Sequence, residues 1–267
     1  MTHILLPTDF SDTALKAAHF AMDLYGARNV RYTLVNTYQV QAYPDPLVPN
    51  LTRLVEQNSR NGLRRAERRL RRRTDHVYLA KVSTYAPLPE ALNNIAASKG
   101  ADLIVMGTQG KDSNRLFGSN ATTVVKRSVL PVITVPAQWE PEPLRRILLP
   151  MDGEPFDPAS FLPLTDLAHR CGAEILVAHV RTNAVAFAKG LDHAAIGEAL
   201  KAVNHRYVTV HGADVVETVN ELVANSRFQL VAMVHRKRGF LGGLFSSSTT
   251  KQMALHTKLP LLVLRQG

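Results

Sequence analysis

The sequence has one cysteine, Cys171, and one tryptophan in 267 residues. A lone cysteine excludes an intrachain disulfide framework and a multi-thiolate metal site. It also suits a reducing compartment. No run approaches the roughly 18 apolar residues that a bilayer-spanning helix needs. The start, MTHILLPTDF, has no basic stretch followed by a long apolar one, so no signal peptide is expected. Several catalytic signatures are missing too. There is no Gly-x4-Gly-Lys-Ser/Thr loop, no Gly-x-Gly-x-x-Gly opening a helix, no Gly-x-Ser-x-Gly elbow and no His-Glu-x-x-His pair. P-loop ATPase, dinucleotide Rossmann and zinc-protease chemistry are therefore disfavoured. The ten histidines are scattered. His19 and His169 fall in equivalent helices and are expected to pack or face solvent. His235 and His256 are not expected to be ligands. No metal set and no catalytic residue is expected, and the protein reads as soluble and cytoplasmic.

What is present is apolar material for real cores, 45% of the chain, with 20% charged residues. Two domains of about 130 residues would each have the common domain size. Net charge is +10. Most of it is local: residues 60–73, RNGLRRAERRLRRR, hold eight arginines against Glu67, a net +7.

The chain repeats itself. ILLPTD at 4–9 is answered by ILLPMD at 147–152, ADLIVM at 101–106 by FQLVAM at 228–233, and LPVITVP at 130–136 by LPLLVL at 259–264. Matched landmarks in one order mark a tandem repeat. The polar, proline-rich AQWEPEPLRR at 137–146 reads as the linker. Domains are placed at 1–138 and 144–267, with the boundary near Pro141. Within the first half, strands are expected at 3–7, 30–37, 77–82, 103–106 and 132–135. Helices are expected at 12–25, 51–73, 87–99 and 119–129. The second half repeats this with strands at 145–150, 174–180, 206–210, 229–234 and 260–264. Its helices are expected at 157–171, 192–203, 213–225 and 248–257. The long helix at 51–73 places Leu51, Leu54, Val55, Asn58, Gly62, Leu63, Ala66 and Leu70 on one stripe. Short apolar strands alternating with helices imply a parallel sheet covered on both faces.

In such sheets ligands sit beyond the carboxyl ends of the strands. The loop MGTQGKDSNRLFGSNATT at 106–123 follows the fourth strand and opens a helix at Gly118-Ser119. Helix starts present unpaired N–H groups and partial positive charge, and glycines let backbone approach an anion. Ser119 and Thr122 could add hydroxyls, Lys111 and Arg115 charge. Asp9 ends the first strand, where a carboxylate can accept from ribose hydroxyls. The plain alternative is that these glycines make turns and Ser119 is a cap.

Together, PTDFS at 7–11, Met106-Gly107, the Gly-x-x-Gly at 107–110 and Gly118-Ser119 resemble the universal stress protein family, and the tandem repeat resembles its two-domain members. The resemblance implies two doubly wound α/β domains of the adenine nucleotide alpha hydrolase-like type, each a five-stranded parallel sheet of order 3-2-1-4-5. It implies ATP or another adenine nucleotide, with Mg²⁺ as an accessory. By position, Pro7, Thr8 and Asp9 would face the ribose and adenine, Val35 would touch adenine through its backbone, and Met106 and Gly107 would line the nucleoside. Gly110, Gly118, Ser119 and Asn120 would hold the phosphates. The family spaces its second and third glycines by nine residues. Seven, Lys111–Phe117, stand here, so the loop must close more tightly. In the second half Val234, Lys237 and Ser247 replace Gly107, Gly110 and Gly118, while Asp152 and Ser248 match Asp9 and Ser119. A degenerate site is expected there, although Gly239, Gly242 and Gly243 offer material for another anion loop.

The expected function is a stress-response sensor or regulator that binds nucleotide in its first domain and acts through conformation or partner binding. Slow ATP hydrolysis is the most catalysis the pattern allows. The alternative is a nucleotide-free scaffold that docks an anionic partner through helix 60–73. Apolar fifth strands are expected to meet in an intramolecular pseudo-dimer, with homodimerisation as an extension.

Overall fold

A computed structural model describes residues 1–39, 51–74, 76–109, 118–151, 153–182, 190–235 and 258–266. The chain divides into two compact units, Met1–Leu130 and Pro131–Gly267.

Unit 1 contains β1 (Thr2–Pro7), α1 (Asp12–Tyr25), β2 (Val30–Tyr38), α2 (Leu51–Arg71) and β3 (Tyr78–Tyr85). It continues with α3 (Leu88–Lys99), β4 (Leu103–Gly107) and α4 (Ser119–Arg127). Its strand order is β3-β2-β1-β4, all parallel. Ile4, Leu5, Leu6, Leu34 and Ile104 are wholly buried or nearly so, as continuous apolar strands covered on both faces must be. Tyr32 is fully buried with its hydroxyl donating to the Gly26 carbonyl at 2.6 Å, which satisfies the one polar atom it takes inside. Helix α1 starts where Ser11 accepts from Ala14 N at 3.1 Å. It stops at Gly26, whose φ of 68° suits glycine.

Unit 2 contains β5 (Val132–Val135), β6 (Arg146–Met151), a 3-10 turn at Pro158–Phe161 and α5 (Leu162–Cys171). It continues with β7 (Glu174–Thr182), α6 (His193–Leu200), β8 (His205–Gly212), α7 (Val215–Asn225), β9 (Leu230–His235) and β10 (Leu261–Arg265). The order β8-β7-β6-β9-β10 is the complete 3-2-1-4-5 pattern in parallel strands. β5, the fifth strand of the first repeat, packs within this unit and runs antiparallel to β10, with Ile133 opposite Leu262. The two fifth strands thus cover each other's edge.

Three local expectations change. The helix expected at 157–171 divides into the 3-10 turn and α5, because Asp157 accepts from Ala159 N at 2.9 Å and starts a tight turn before Pro163 can open the α-helix. On α2, Leu63 and Leu70 are buried, but Leu54 and Asn58 are exposed. Ser59 takes the inward place, its hydroxyl 2.7 Å from that of Ser83. The polar linker carries two anchors, since Trp139 and Leu144 are buried. The expected helix at 248–257 lies outside the described residues.

Candidate functional site

The β1–α1 turn is built almost entirely from its own backbone and short side chains. Pro7 is buried and closes the strand. Thr8 N donates to the Val35 carbonyl at 2.9 Å, and Asn36 Nδ2 donates to the Thr8 carbonyl at 2.6 Å. Phe10 N donates to Thr8 Oγ1 at 3.0 Å, and Ser11 N donates to Asp9 Oδ1 at 3.0 Å. Asp9 is left exposed at the tip. Phe10 has φ of 67°, an uncommon conformation for a bulky residue that costs about 1–3 kcal/mol. Its ring is seated on α2: a Cβ placed on Gly62 would lie 2.3 Å from Phe10 Cζ. Gly62 therefore makes the seat that holds this turn.

Strands β1 and β4 are parallel neighbours, with Leu5 opposite Ile104. Continued by alternation, that register sets Pro7 level with Met106 and Thr8 level with Gly107. Met106 is buried. A Cβ on Gly107 would lie 2.7 Å from Thr13 Cγ2 and 3.0 Å from the Thr13 carbonyl carbon and oxygen. Glycine at this position thus lets the first turn of α1 press against the end of β4. Thr108 is buried, and its Oγ1 has no hydrogen-bond partner among the described residues. Gly118 N donates to the Thr108 carbonyl at 2.6 Å, so the start of α4 is tied to the end of β4. No side chain caps α4, and Ser119 and Asn120 are exposed at its first turn. Gly118 has φ of −72° and ψ of 161°, open to any residue, so its dihedrals do not require glycine. Gly110, Lys111 and Arg115 lie outside the described residues.

The structure thus gathers Pro7, Thr8 and Val35 through strand pairing, and Met106, Gly107 and Gly118 around the end of β4. Val35 is wholly buried and its carbonyl already holds Thr8 N. Four residues that shape the site were not evident from spacing: Phe10, Thr13, Asn36 and Thr108. The one available signal was a bulky phenylalanine inside a four-residue turn.

The corresponding region of unit 2 is built differently. Ten residues, 152–161, separate β6 from α5, where four, 8–11, separate β1 from α1. Val234 is buried near the end of β9, level with Leu264. His235 is buried beside it. Asp152, Lys237, Gly239, Gly242, Gly243, Ser247, Ser248 and His256 lie outside the described residues.

Among the described residues no three His, Cys, Asp or Glu side chains come together to hold a metal. Burial pushes the Cys171 thiol up, away from the reactive thiolate. Burial lowers the His3 imidazole, assisted by Arg31, and burial also lowers His19, assisted by Arg73. His3 Nε2 lies 2.8 Å from Thr33 Oγ1. Both histidines belong to packing. Among the described residues no helix is long and apolar enough to cross a membrane.

The fold is shared with a universal stress protein from Archaeoglobus fulgidus, 16% identical over 99% of this chain and 98% of that one, with a TM-score of 0.67. It is also shared with a putative universal stress protein from Pseudomonas aeruginosa, 12% identical over 100% of this chain and 94% of that one, with a TM-score of 0.59. UspA from Lactobacillus plantarum is 26% identical over 50% of this chain and 96% of its own, with a TM-score of 0.44. No curated protein matches the sequence. The family model of the universal stress proteins matches twice, over residues 1–136 and 143–265, and the chain therefore belongs to the universal stress protein family as a tandem two-domain member.

Proposed function

We propose that unit 1 binds ATP or a related adenine nucleotide at the carboxyl ends of β1 and β4. The observation that carries this reading is the uncapped start of α4, tied by Gly118 N to the Thr108 carbonyl just past the end of β4. A helix start offers N–H donors and partial positive charge to phosphate oxygens. Ser119 and Asn120 are exposed there and add side-chain donors. Thr108 Oγ1, buried and unpartnered among the described residues, suits a site completed by a ligand. Asp9 would accept from a ribose hydroxyl, with Pro7, Thr8, Val35, Met106 and Gly107 lining the nucleoside and Gly110 joining the phosphate contacts. Because the Val35 carbonyl already holds Thr8 N, its part would be to fix the turn as well as to touch the base. Magnesium usually keeps several waters and binds through phosphates with one or two carboxylates. Asp9 would be the carboxylate for that, directly or through water.

Membership of the universal stress protein family, which implies an adenine nucleotide, supports the same reading. The output would be a change in conformation or partner binding, with slow ATP hydrolysis at most. We place the protein in the cytoplasm as a stress-response regulator, with unit 2 as a partner domain that has lost the site. The rival reading, a nucleotide-free scaffold with an anionic partner, is favoured by the charge of residues 60–73.

Thermal unfolding separates the two. Ligand at 100 times its Kd stabilises by about 2.7 kcal/mol, so ATP should raise the Tm of the full chain by several degrees. Gly118→Val, which the backbone dihedrals permit, should lose the ATP shift when that shift is read against the variant's own unliganded Tm. An ATP shift that survived this substitution would move the site elsewhere. No shift in the native protein would favour the scaffold.

A further inference from the structure

The arginines of α2 fall into two sets. Arg60 pairs with Glu56 at 2.6 Å, Arg71 with Glu67 at 3.2 Å, Arg69 with Asp12 at 2.9 Å and Arg73 with Asp23 at 3.0 Å. Lys81 of β3 also pairs with Glu67. Burial acts to raise the Glu67 carboxyl, but hydrogen bonds from Lys81 and Arg71 outweigh it and lower its pKa. These contacts fasten α2 to α1 on one flank and to β3 on the other. Arg64, Arg65, Arg68 and Arg72 have no ion-pair partner among the described residues, and all four are exposed. Arg64 has only a long contact to Asn61 Oδ1, at 3.4 Å.

Helical geometry places the second set together. At about 100° per residue, Arg64, Arg68, Arg72 and Arg65 fall within an arc of roughly 100°. Asn61 and Gln57 share that arc, and no carboxylate of α2 does. The buried Ser59, Gly62, Leu63 and Leu70 lie on the opposite side of the helix. The nearby acids, Asp12, Asp23, Glu56 and Glu67, are all engaged by the flanking arginines. Four guanidinium groups therefore face outward along about 12 Å of helix, with no carboxylate partner among the described residues.

We infer that this outward face of α2 docks the phosphate backbone of duplex nucleic acid without reading its sequence, through Arg64, Arg65, Arg68 and Arg72. Guanidinium groups bind phosphate oxygens bidentately, and the segment 60–73 contains no lysine. A duplex offers one charge per about 1.7 Å of axis, dense enough to engage all four at once. Single-strand binders stack bases on aromatic side chains, and α2 has none. Membrane-surface helices interleave large apolar residues with their charges, whereas on α2 Leu70 is buried and the exposed Leu54 lies more than two turns before Arg64. The inference does not rest on the nucleotide reading: of the four arginines, Arg65 alone lines the small cavity shared with Thr8, Phe10 and Ser11.

The test is fluorescence anisotropy of the full chain with a labelled duplex of about 20 base pairs and arbitrary sequence, between roughly 50 and 200 mM salt. Four phosphate contacts give a slope of log K against log salt of about −3.6, a loss of about 150-fold over that range. Arg64→Gln, Arg65→Gln, Arg68→Gln and Arg72→Gln combined should bring the slope close to zero and remove binding at the lower salt, with an unchanged Tm. The same four positions changed to Lys should keep most of the slope. A native protein that ignores the duplex at low salt overturns the inference. So does a Gln variant that binds like the native chain, or a native chain that binds phosphatidylserine vesicles but not the duplex.

Discussion

The two halves begin with nearly the same strand, ILLPTD and ILLPMD, and then diverge within a few residues. After β1 the chain turns in four residues and α1 starts at Asp12. Thr13 then presses on the end of β4, and only glycine fits at 107. After β6 the chain takes ten residues, with a 3-10 turn, before α5 starts. There the position matching Gly107 is the buried, β-branched Val234. In unit 1 it is the first turn of α1, through Thr13, that requires glycine at the end of β4. The sheet order is indifferent to this difference: both units keep strands in the order 3-2-1-4.

The comparison breaks most severely at Gly107. Gly107→Val forces the new side chain into Thr13, backbone included, and should cost about 1–3 kcal/mol, read as a lower denaturant midpoint. It should also abolish the ATP shift in Tm. Val234→Gly should not create a second site, since the long 152–161 connection remains; ATP titration of that variant checks this.

Gly62→Ala should come next, at about 1–2 kcal/mol, because the added methyl meets the Phe10 ring. Phe10→Leu in the same chain should recover part of the loss. A double-mutant cycle with no coupling would show that the ring does not rest on Gly62.

A smaller effect is expected from pH. His3 and His19 have folded-state pKa values below the ordinary 6.5, from burial. A depressed folded value means that the unfolded chain takes up protons first as pH falls. Their contribution is full above pH 6.5 and declines below it, so Tm should fall from neutral pH towards pH 5. His3→Gln should flatten that slope, which melting curves across the range would show.

The smallest effect belongs to the Arg69–Asp12 pair. Its side chains are 50% and 90% exposed, and exposed pairs contribute about 0–1 kcal/mol. Arg69→Gln should hardly move the denaturant midpoint. It should also leave duplex affinity nearly intact, in contrast to Arg68→Gln.

Much of the architecture was legible because it follows from periodicity. Strands such as 4–6 and 147–149 are apolar without a break, and α1 carries Ala14, Ala18, Ala21 and Tyr25 on one face. The repeat itself announced two similar units. What periodicity could not reveal was which neighbour each residue meets. Gly62 reads as one more member of an apolar stripe, and only the seating of Phe10 gives it a reason. Gly107 reads as a phosphate-loop glycine, yet its immediate reason is Thr13. Gly118 reads as conformationally special, yet its dihedrals are ordinary. The eight arginines look like one charged face. Their division into fastening and outward sets depends on Asp12 and Asp23, which lie far away in the sequence.

Titration calorimetry of the full chain with ATP tests the central claim most directly. The account predicts one site per chain, lost in Gly118→Val and kept in Val234→Gly. Two equivalent sites per chain, or one site that survives Gly118→Val, would contradict it.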